Sequence, residues 1–296
     1  GFAITASGTA SNTISFVKTG AGTNPIFTAN SSLISGTLTD AVFKIIGGDY
    51  ITIDGFTMLE NSANTITTEA SNNMTEFGIA LFYASTTNGC QNVTIKNNSI
   101  DLNRFYQNTI GIYAHSKHTA TNVTTSATAT GPNGGNHNLS ITANAITDVN
   151  QGILVFGPTA AADHNNGLVI GGSSADANTI TNFGTTGTYF AFVNSIASVN
   201  AISIKNTKNF NVSYNTIVSS NGGVVSSTLR GICIVSFSTI PTGTFTNTIS
   251  NNNLSVTTGA ATGNVRVISV QIDTGNNLST MNIHNNDFYA CGHNAV

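Results

Sequence analysis

The stretch Val93-Thr-Ile-Lys-Asn-Asn-Ser-Ile100 carries the pattern on which the fold prediction depends: alternating apolar residues, an Asn pair and a closing apolar residue. The pattern recurs along the 296-residue chain, and its closing residues lie 34 to 46 residues apart. Self-similarity of this period is the signature of a repeat architecture. Further copies occupy 139–146, 212–217, 246–254 and 281–288, a Gly-turned relative occupies 50–56, and a degenerate copy occupies 178–180. The closing residues are Phe56, Ile100, Ile146, Ile180, Ile217, Leu254 and Phe288.

A second element, Gly-Ile followed by alternating residues, precedes these copies, as in Gly111-Ile-Tyr-Ala-His115 and Gly152-Ile-Leu-Val-Phe156. Alternation with a period of two predicts short strands with one buried face. Two or three such strands per repeat cannot bury a face alone, but stacked coils enclose a continuous core. A WD-type propeller would need Trp, which is absent, and leucine-rich repeats would need helices. The sequence therefore predicts an all-β parallel β-helix of six to seven coils with irregular side loops, the longest from Lys117 to Asn138.

The Asn pairs have a physical role in such a solenoid. Asn tolerates the left-handed backbone conformation that a tight corner requires. Identical Asn side chains on successive coils can also hydrogen-bond to one another in a ladder. The predicted ladder residues are Asn98, Asn144, Asn215, Asn252 and Asn286.

The segments 12–27, 44–56, 77–97 and 179–184 resemble the right-handed β-helix regions of large secreted Bacteroidota proteins. The resemblance covers most of the chain and is weakest around Thr188 to Val199. It implies a right-handed solenoid at an extracellular or cell-surface location. Such proteins commonly use the type IX secretion route with a separate C-terminal sorting domain. We therefore expect residues 1–296 to form a single β-helix domain that is a fragment or processed part of a longer chain.

The composition is poor in charge: Lys, Arg, Asp and Glu make up 7% of the residues, and the formal net charge is −3. A basic footprint for nucleic acid is absent, as is an apolar run long enough for membrane insertion. Like charges on stacked coils would repel one another, so neutral Asn, Thr and Ser suit a solenoid. The partners expected from the sequence are a second copy of the chain, in a homo-oligomer or filament, or glycans and proteins of a cell surface.

The acidic residues form no recognisable catalytic pair. Some right-handed β-helices are pectate lyases or polygalacturonases, but the clustered acidic segments of polygalacturonases are missing, and hydrolysis needs two carboxylates at a defined separation. The nearest set of acids is Glu60, Glu69 and Glu76. His115 and His118 are three residues apart, so on a strand their side chains would point to opposite faces. This disfavours a metal site. We expect no enzyme activity, no metal and no cofactor.

One candidate interaction site remains. Between the inward residues of the Gly-Ile strands, the intervening side chains would stack into two outward columns. A stripe of apolar and aromatic residues on a polar rod would mark an interaction surface if it were exposed. Loops such as Thr121 to Asn136 would otherwise cover it, or the faces would point inward. The residues of this stripe are Phe82, Tyr113, His115, Leu154, Phe156 and Val235.

These observations favour a non-catalytic structural or adhesive β-helix, part of a surface adhesin or appendage. The alternative is a polysaccharide-binding or polysaccharide-cleaving β-helix of the lyase or glycosidase type.

Overall fold

The computed structural model describes residues 1–31, 38–68, 71–121, 129–185, 198–220, 223–271 and 279–293. The chain forms a right-handed parallel β-helix with three sheets, named A, B and C, of eight strands each. Each coil contributes one strand to A, then one to B, then one to C, and every strand pairs in parallel with its counterparts in the neighbouring coils. The predicted fold class is confirmed.

The strands have the following bounds. Sheet A contains β1 (Phe2–Ile4), β4 (Ala41–Ile46), β7 (Phe77–Phe82), β10 (Ile110–His115), β13 (Gln151–Phe156), β17 (Ser198–Lys205), β21 (Thr228–Ile234) and β25 (Asn264–Val270). Sheet B contains β2 (Ile14–Val17), β5 (Ile51–Asp54), β8 (Thr94–Lys96), β11 (Ser140–Thr142), β15 (Val169–Gly171), β19 (Asn211–Ser213), β22 (Phe245–Ser250) and β26 (Ser279–His284). Sheet C contains β3 (Ile26–Thr28), β6 (Thr57–Leu59), β9 (Ser99–Asp101), β12 (Ala145–Thr147), β16 (Thr179–Phe183), β20 (Thr216–Ser219), β23 (Asn253–Ser255) and β27 (Asp287–Phe288).

Four shorter strands and two short 3-10 helices lie at the corners of the described coils. Strand β14 (Asn165–Asn166) pairs with β18 (Thr207–Lys208), and β24 (Thr257–Thr258) pairs with β28 (Gly292–His293). The 3-10 helices span Ala161–Asp163 and Ser174–Asp176. Within the described ranges, no helix has the length and apolarity needed to span a bilayer.

The number of coils is about eight, not the predicted six to seven. In the first coil, β1 to β3, residues 18–25 form the corner in place of the short Asn or Gly turn, so the repeat pattern does not reveal this coil. The register also corrects one closing residue. Phe27 pairs with Met58, and Met58 pairs with Ile100, so Met58 rather than Phe56 occupies the closing position in its coil. Phe56 is buried at the corner before β6.

The core lies inside the three sheets and consists mainly of Ile, Val, Leu and Phe side chains. Fully burying one such side chain contributes about 1.5–3 kcal/mol. Packing explains why the Gly-Ile element begins with glycine. At Gly111 a Cβ atom would collide with the side chain of Ile146, which closes the neighbouring strand of sheet C. Gly78 and Gly152 face Ile100 and Ile180 in the same way. The absence of a side chain thus lets the closing Ile pack directly against the backbone of sheet A.

Candidate functional site

The predicted Asn ladder lies at the corner between sheets B and C. Asn98 Nδ2 donates to Asn144 Oδ1 at 3.1 Å, and the backbone amide of Asn98 donates to the same oxygen at 3.1 Å. Asn215 Nδ2 donates to Asn252 Oδ1 at 2.9 Å, and Asn252 Nδ2 donates to Asn286 Oδ1 at 2.9 Å. A buried amide is stable only when its polar atoms are satisfied. The ladder meets this requirement in every coil that it crosses.

The ladder has a sixth member that sequence reasoning missed. Asn144 Nδ2 donates to Asn178 Oδ1 at 3.1 Å, and Asn178 Nδ2 donates to Asn215 Oδ1 at 2.9 Å. The repeat is degenerate here because a longer turn, which includes the 3-10 helix Ser174–Asp176, precedes Asn178. The signal that could have found this residue is its spacing, since Asn178 precedes Ile180 by two positions as Asn144 precedes Ile146.

At five of the six ladder positions the residue before the ladder Asn has a left-handed backbone, whereas Ala177 before Asn178 has φ −58°. The left-handed residue is Asn97 at φ 55°, Asn251 at φ 56° and Asn285 at φ 53° in three of the coils. Two coils use other residues, Ala143 at φ 52° and Tyr214 at φ 62°. Where a coil has an Asn pair, the two residues therefore have different roles. The first adopts the turn conformation, and the second builds the ladder.

The stripe residues lie in register on the outer side of sheet A. Tyr113 pairs with Leu154, and His115 pairs with Phe156. Their neighbours along the strand, Ile112 and Ala114, belong to the interior core. The stripe side chains instead form a second apolar cluster with Phe77, Ile110 and Cys233. They therefore point away from the interior of the solenoid.

The stripe is buried, which agrees with the alternative in which other segments of the chain cover it. The exposed fractions are 0% for Phe82, Tyr113 and Leu154, 2% for Phe156, and 6% for His115 and Val235. The segment after β10 provides part of the cover. His118 contacts Phe82 and Tyr113 with its ring, and Ala120 packs against the cluster. Of the loop Thr121 to Asn136, residues 122–128 lie outside the described residues. A partner cannot reach the six stripe residues while this cover is in place.

Tyr113 and His118 connect the stripe to its cover. The Tyr113 hydroxyl and His118 Nδ1 are 2.9 Å apart, and Phe77 stacks on the Tyr113 ring at 4.2 Å between centroids. Burial raises the pKa of Tyr113 well above its usual value. Burial also lowers the pKa of His118 to about 3, with the nearby His115 acting in the same direction. His118 is therefore neutral at physiological pH and shares one hydrogen bond with a neutral phenol.

We expect Tyr113→Phe to lower the free energy of unfolding by about 1 kcal/mol, because it removes this hydrogen bond and retains the ring. Urea denaturation at neutral pH measures the effect. Tyr214→Phe is the matched control, since Tyr214 is exposed at the B-to-C corner. A change of the same size in both variants would show that the Tyr113 hydroxyl has no special role.

The carboxylates of the predicted acidic set have structural partners. Glu60 accepts hydrogen bonds from Thr75 N at 2.9 Å and from Asn64 Nδ2 at 2.7 Å. Glu76 is 1% exposed and accepts from Asp40 N at 2.9 Å and from the Tyr106 hydroxyl at 3.3 Å. Burial raises the pKa of Glu76 to about 8, and the nearby Asp40 carboxyl adds to the shift. Glu69 lies outside the described residues.

The remaining potential metal ligands are dispersed. Among the described residues, no three His, Cys, Asp or Glu side chains come together as a metal site would require. His115 Nδ1 accepts from Lys117 N at 3.1 Å, whereas His118 contacts Tyr113. Cys90 and Cys233 are buried free thiols and Cys291 is an exposed one. Arg104 forms an ion pair with Asp148 at 3.6 Å and also contacts Asn182.

A groove of about 490 Å³ at the corner between sheets A and B was not predicted from the sequence. Its floor is a column of residues at equivalent positions in four consecutive coils. Each of these residues offers its backbone oxygen to the amide of the coil before, and each is followed by a residue that turns the chain into sheet B. The column consists of Gln91, His137, Asn166 and Lys208.

Amide side chains continue beside this column. Asn209 Nδ2 donates to Asn166 Oδ1 at 2.7 Å, and Asn138 Nδ2 donates to Asn92 Oδ1 at 3.0 Å. Thr242, Thr244 and Phe245 form part of the wall in the following coil. The sequence signal was a second series of left-handed residues, Asn92, Asn138 and Asn209, which lies outside the Asn-pair repeat.

The comparisons with known proteins add little to this geometry. No protein-family model matches the chain, and no curated protein matches it. The crystal structure of a GH136 lacto-N-biosidase from Eubacterium ramulus is similar over 97% of this chain and 59% of that chain, at 11% identity and a TM-score of 0.37. The chain thus spans about three-fifths of that protein's length. The arrangement of the three sheets places the chain in the parallel β-helix fold class.

Proposed function

We propose that the chain is a non-catalytic structural and adhesive β-helix that belongs to an extracellular or cell-surface protein. The observation that carries the proposal is the uninterrupted stacking of three eight-strand sheets together with the six-residue Asn ladder. Every coil is bonded to its neighbours by backbone and side-chain hydrogen bonds along the axis. Such a solenoid resists bending and presents corner loops at fixed positions, as a spacer or adhesin requires.

The engagement of the carboxylates supports the non-catalytic part of the proposal. Glu60 and Glu76 both accept hydrogen bonds from backbone amides of the corner segments, so that each fixes a loop conformation. Asp49 does the same for the amide of Gln91 at 2.7 Å. These are structural uses of a scarce residue type.

The resemblance to β-helix regions of secreted Bacteroidota proteins supports the location and a type IX export route. Parallel strands in all three sheets offer backbone groups to the strands of a second copy, so self-association into an oligomer or filament is part of the proposal.

Mechanical unfolding tests the role of the chain as a spacer. Because each coil contacts only its neighbours, we expect stepwise unfolding when the chain is pulled from its two ends. The ladder partners are separated by 34, 37 or 46 residues. One coil should therefore release roughly 110–160 Å of extended chain. Single-molecule force spectroscopy measures these increments. A chain that extends without any resisting step would contradict the proposal.

Incubation with polysaccharides tests the absence of catalysis. The alternative function is a polysaccharide-binding or polysaccharide-cleaving β-helix, and its cleaving form requires that shortened products accumulate with time. We expect no products from neutral or acidic polysaccharides, measured by chromatography of the reducing ends. Product formation that is proportional to the protein concentration would overturn the non-catalytic proposal. The groove between sheets A and B favours the polysaccharide-binding form of the alternative over the cleaving form. Polysaccharide binding is also compatible with an adhesive function.

A further inference from the structure

The groove between sheets A and B has the features of a binding site for an extended polar ligand. Its lining residues come from five consecutive coils, all of them in described parts of the chain. Neighbouring parallel strands are about 4.8 Å apart, so five levels span roughly 20 Å along the rod. A groove of this length and of about 490 Å³ is in the range of ligand sites. Its direction suits a linear chain that lies parallel to the axis.

The lining favours a ligand with many hydroxyl groups. Amide side chains offer two donors and an acceptor oxygen each, and hydroxyl groups can satisfy both. Asn166 is exposed, lines the groove and uses its Oδ1 to accept from Asn209, so its Nδ2 group is the donor that it offers to a ligand. Asn138, Thr242 and Thr244 are also exposed along the groove.

The groove also contains one cation. Lys208 is half-buried in the floor, and among the described residues its ammonium group forms no ion pair. Burial lowers the pKa of the neighbouring His137, and Lys208 acts in the same direction while Asp163 opposes it. His137 is therefore neutral, and Lys208 supplies the positive charge of the floor. An ammonium group at this position matches a carboxylate on the ligand.

We propose that this groove binds a linear polysaccharide that carries carboxylates, with one uronate unit on Lys208 and neighbouring hydroxyls on the Asn side chains that line the groove. This inference rests on the proposed adhesive function and names the ligand class and the site of contact. Asn166 and Asn209 position the chain, and Lys208 selects the charged unit.

Calorimetric titration of the full chain tests the site. The probes are hexasaccharides of galacturonic, glucuronic and mannuronic acid, each compared with its fully methyl-esterified form. At least one acidic probe should bind about ten-fold more tightly than its ester. Lys208→Gln should remove this preference, and Asn166→Ala should weaken both forms by a similar factor. The matched control is Lys96→Gln, because Lys96 is a half-buried lysine like Lys208 that pairs with Asp54 on sheet B and does not line the groove.

The outcomes separate the site from the general function. No binding of any acidic probe at millimolar concentration overturns the inference, and so does binding that Lys208→Gln and Asn166→Ala leave unchanged. Binding elsewhere on the rod still agrees with an adhesive function. Cleavage of a probe would instead overturn the non-catalytic proposal. Equal binding of acid and ester that is lost in Asn166→Ala would reject the role of Lys208.

Discussion

Asn215→Asp is expected to lower the free energy of unfolding by about 3–5 kcal/mol at neutral pH, because it breaks a fully buried hydrogen-bonded network. Asn215 Nδ2 lies within 3.1 Å of three acceptors: Asn252 Oδ1, Ile170 O and Ser213 O. An aspartate of the same shape has no donor for any of them. It would place one carboxylate oxygen against these three oxygen atoms in a site that excludes water.

Urea denaturation of the two proteins measures the loss, and pH gives a further check. Protonation restores one donor, so the deficit of Asn215→Asp should shrink as the pH falls. Asn282→Asp is the matched control, since Asn282 is exposed on β26. A loss below about 1 kcal/mol for Asn215→Asp would show that the ladder contributes little to stability.

The second large effect concerns Glu76 and the pH dependence of stability. The pKa of Glu76 rises from 4.5 to about 8 on folding, chiefly through burial. The folded chain therefore holds a proton on this group that the unfolded chain releases above pH 4.5. The stability that this proton provides is complete below pH 4.5 and is lost as the pH rises through about 8. The slope is about −1.4 kcal/mol per pH unit, with a total of up to roughly 5 kcal/mol.

Other groups face Glu76 or titrate in the same range, so a variant is needed to isolate its effect. Asp40, Lys44 and Tyr106 are its charged or titratable neighbours. His118 acts in the opposite direction, because its pKa falls from 6.5 to about 3 on folding. Its contribution is complete above pH 6.5 and is lost as the pH falls toward 3.

Glu76→Gln should resemble the protonated native protein, since its amide can accept from Asp40 N and donate to Tyr106. We expect equal stabilities of the two proteins near pH 4.5 and a variant that is several kcal/mol more stable at pH 8.5. Denaturation curves at a series of pH values measure the difference. Two parallel pH profiles would mean that Glu76 is ionised in the folded protein.

The repeat could be read from the sequence because its inward residues and corner residues are chemically uniform. Ile100, Ile146 and Ile217 recur at the closing position, and the ladder Asn precedes each by two residues. The first coil lacks the signal because residues 18–25 form its corner in place of a short Asn or Gly turn. In the second coil Phe56 matches the apolar pattern, although Met58 occupies the closing position. The pattern reports a coil only where that coil uses the common corner chemistry.

Neither the burial of the stripe nor the presence of the groove could be predicted from the sequence. The alternation predicted that Tyr113 and Phe156 point outward, but burial depended on a side segment with His118, whose path no periodicity encodes. The groove is lined by residues such as Gln91 and Lys208, which occupy equivalent positions in their coils but have chemically different side chains. No sequence pattern therefore marks them. Their alignment appears only once the unequal loops between the coils are in place.

The Asn ladder also has a direction. Each Nδ2 group donates toward the next coil along the chain, and each Oδ1 atom accepts from the coil before, from Phe56 N on Asn98 to Asn252 on Asn286. The amide dipoles are therefore aligned along the rod, and successive bonds polarise one another. The column begins at the Phe56 amide, which occupies the oxygen of Asn98, and ends at the Nδ2 group of Asn286. Any coil or copy that extends the column must join it head to tail, which gives the rod, and any fibre built from it, a fixed polarity.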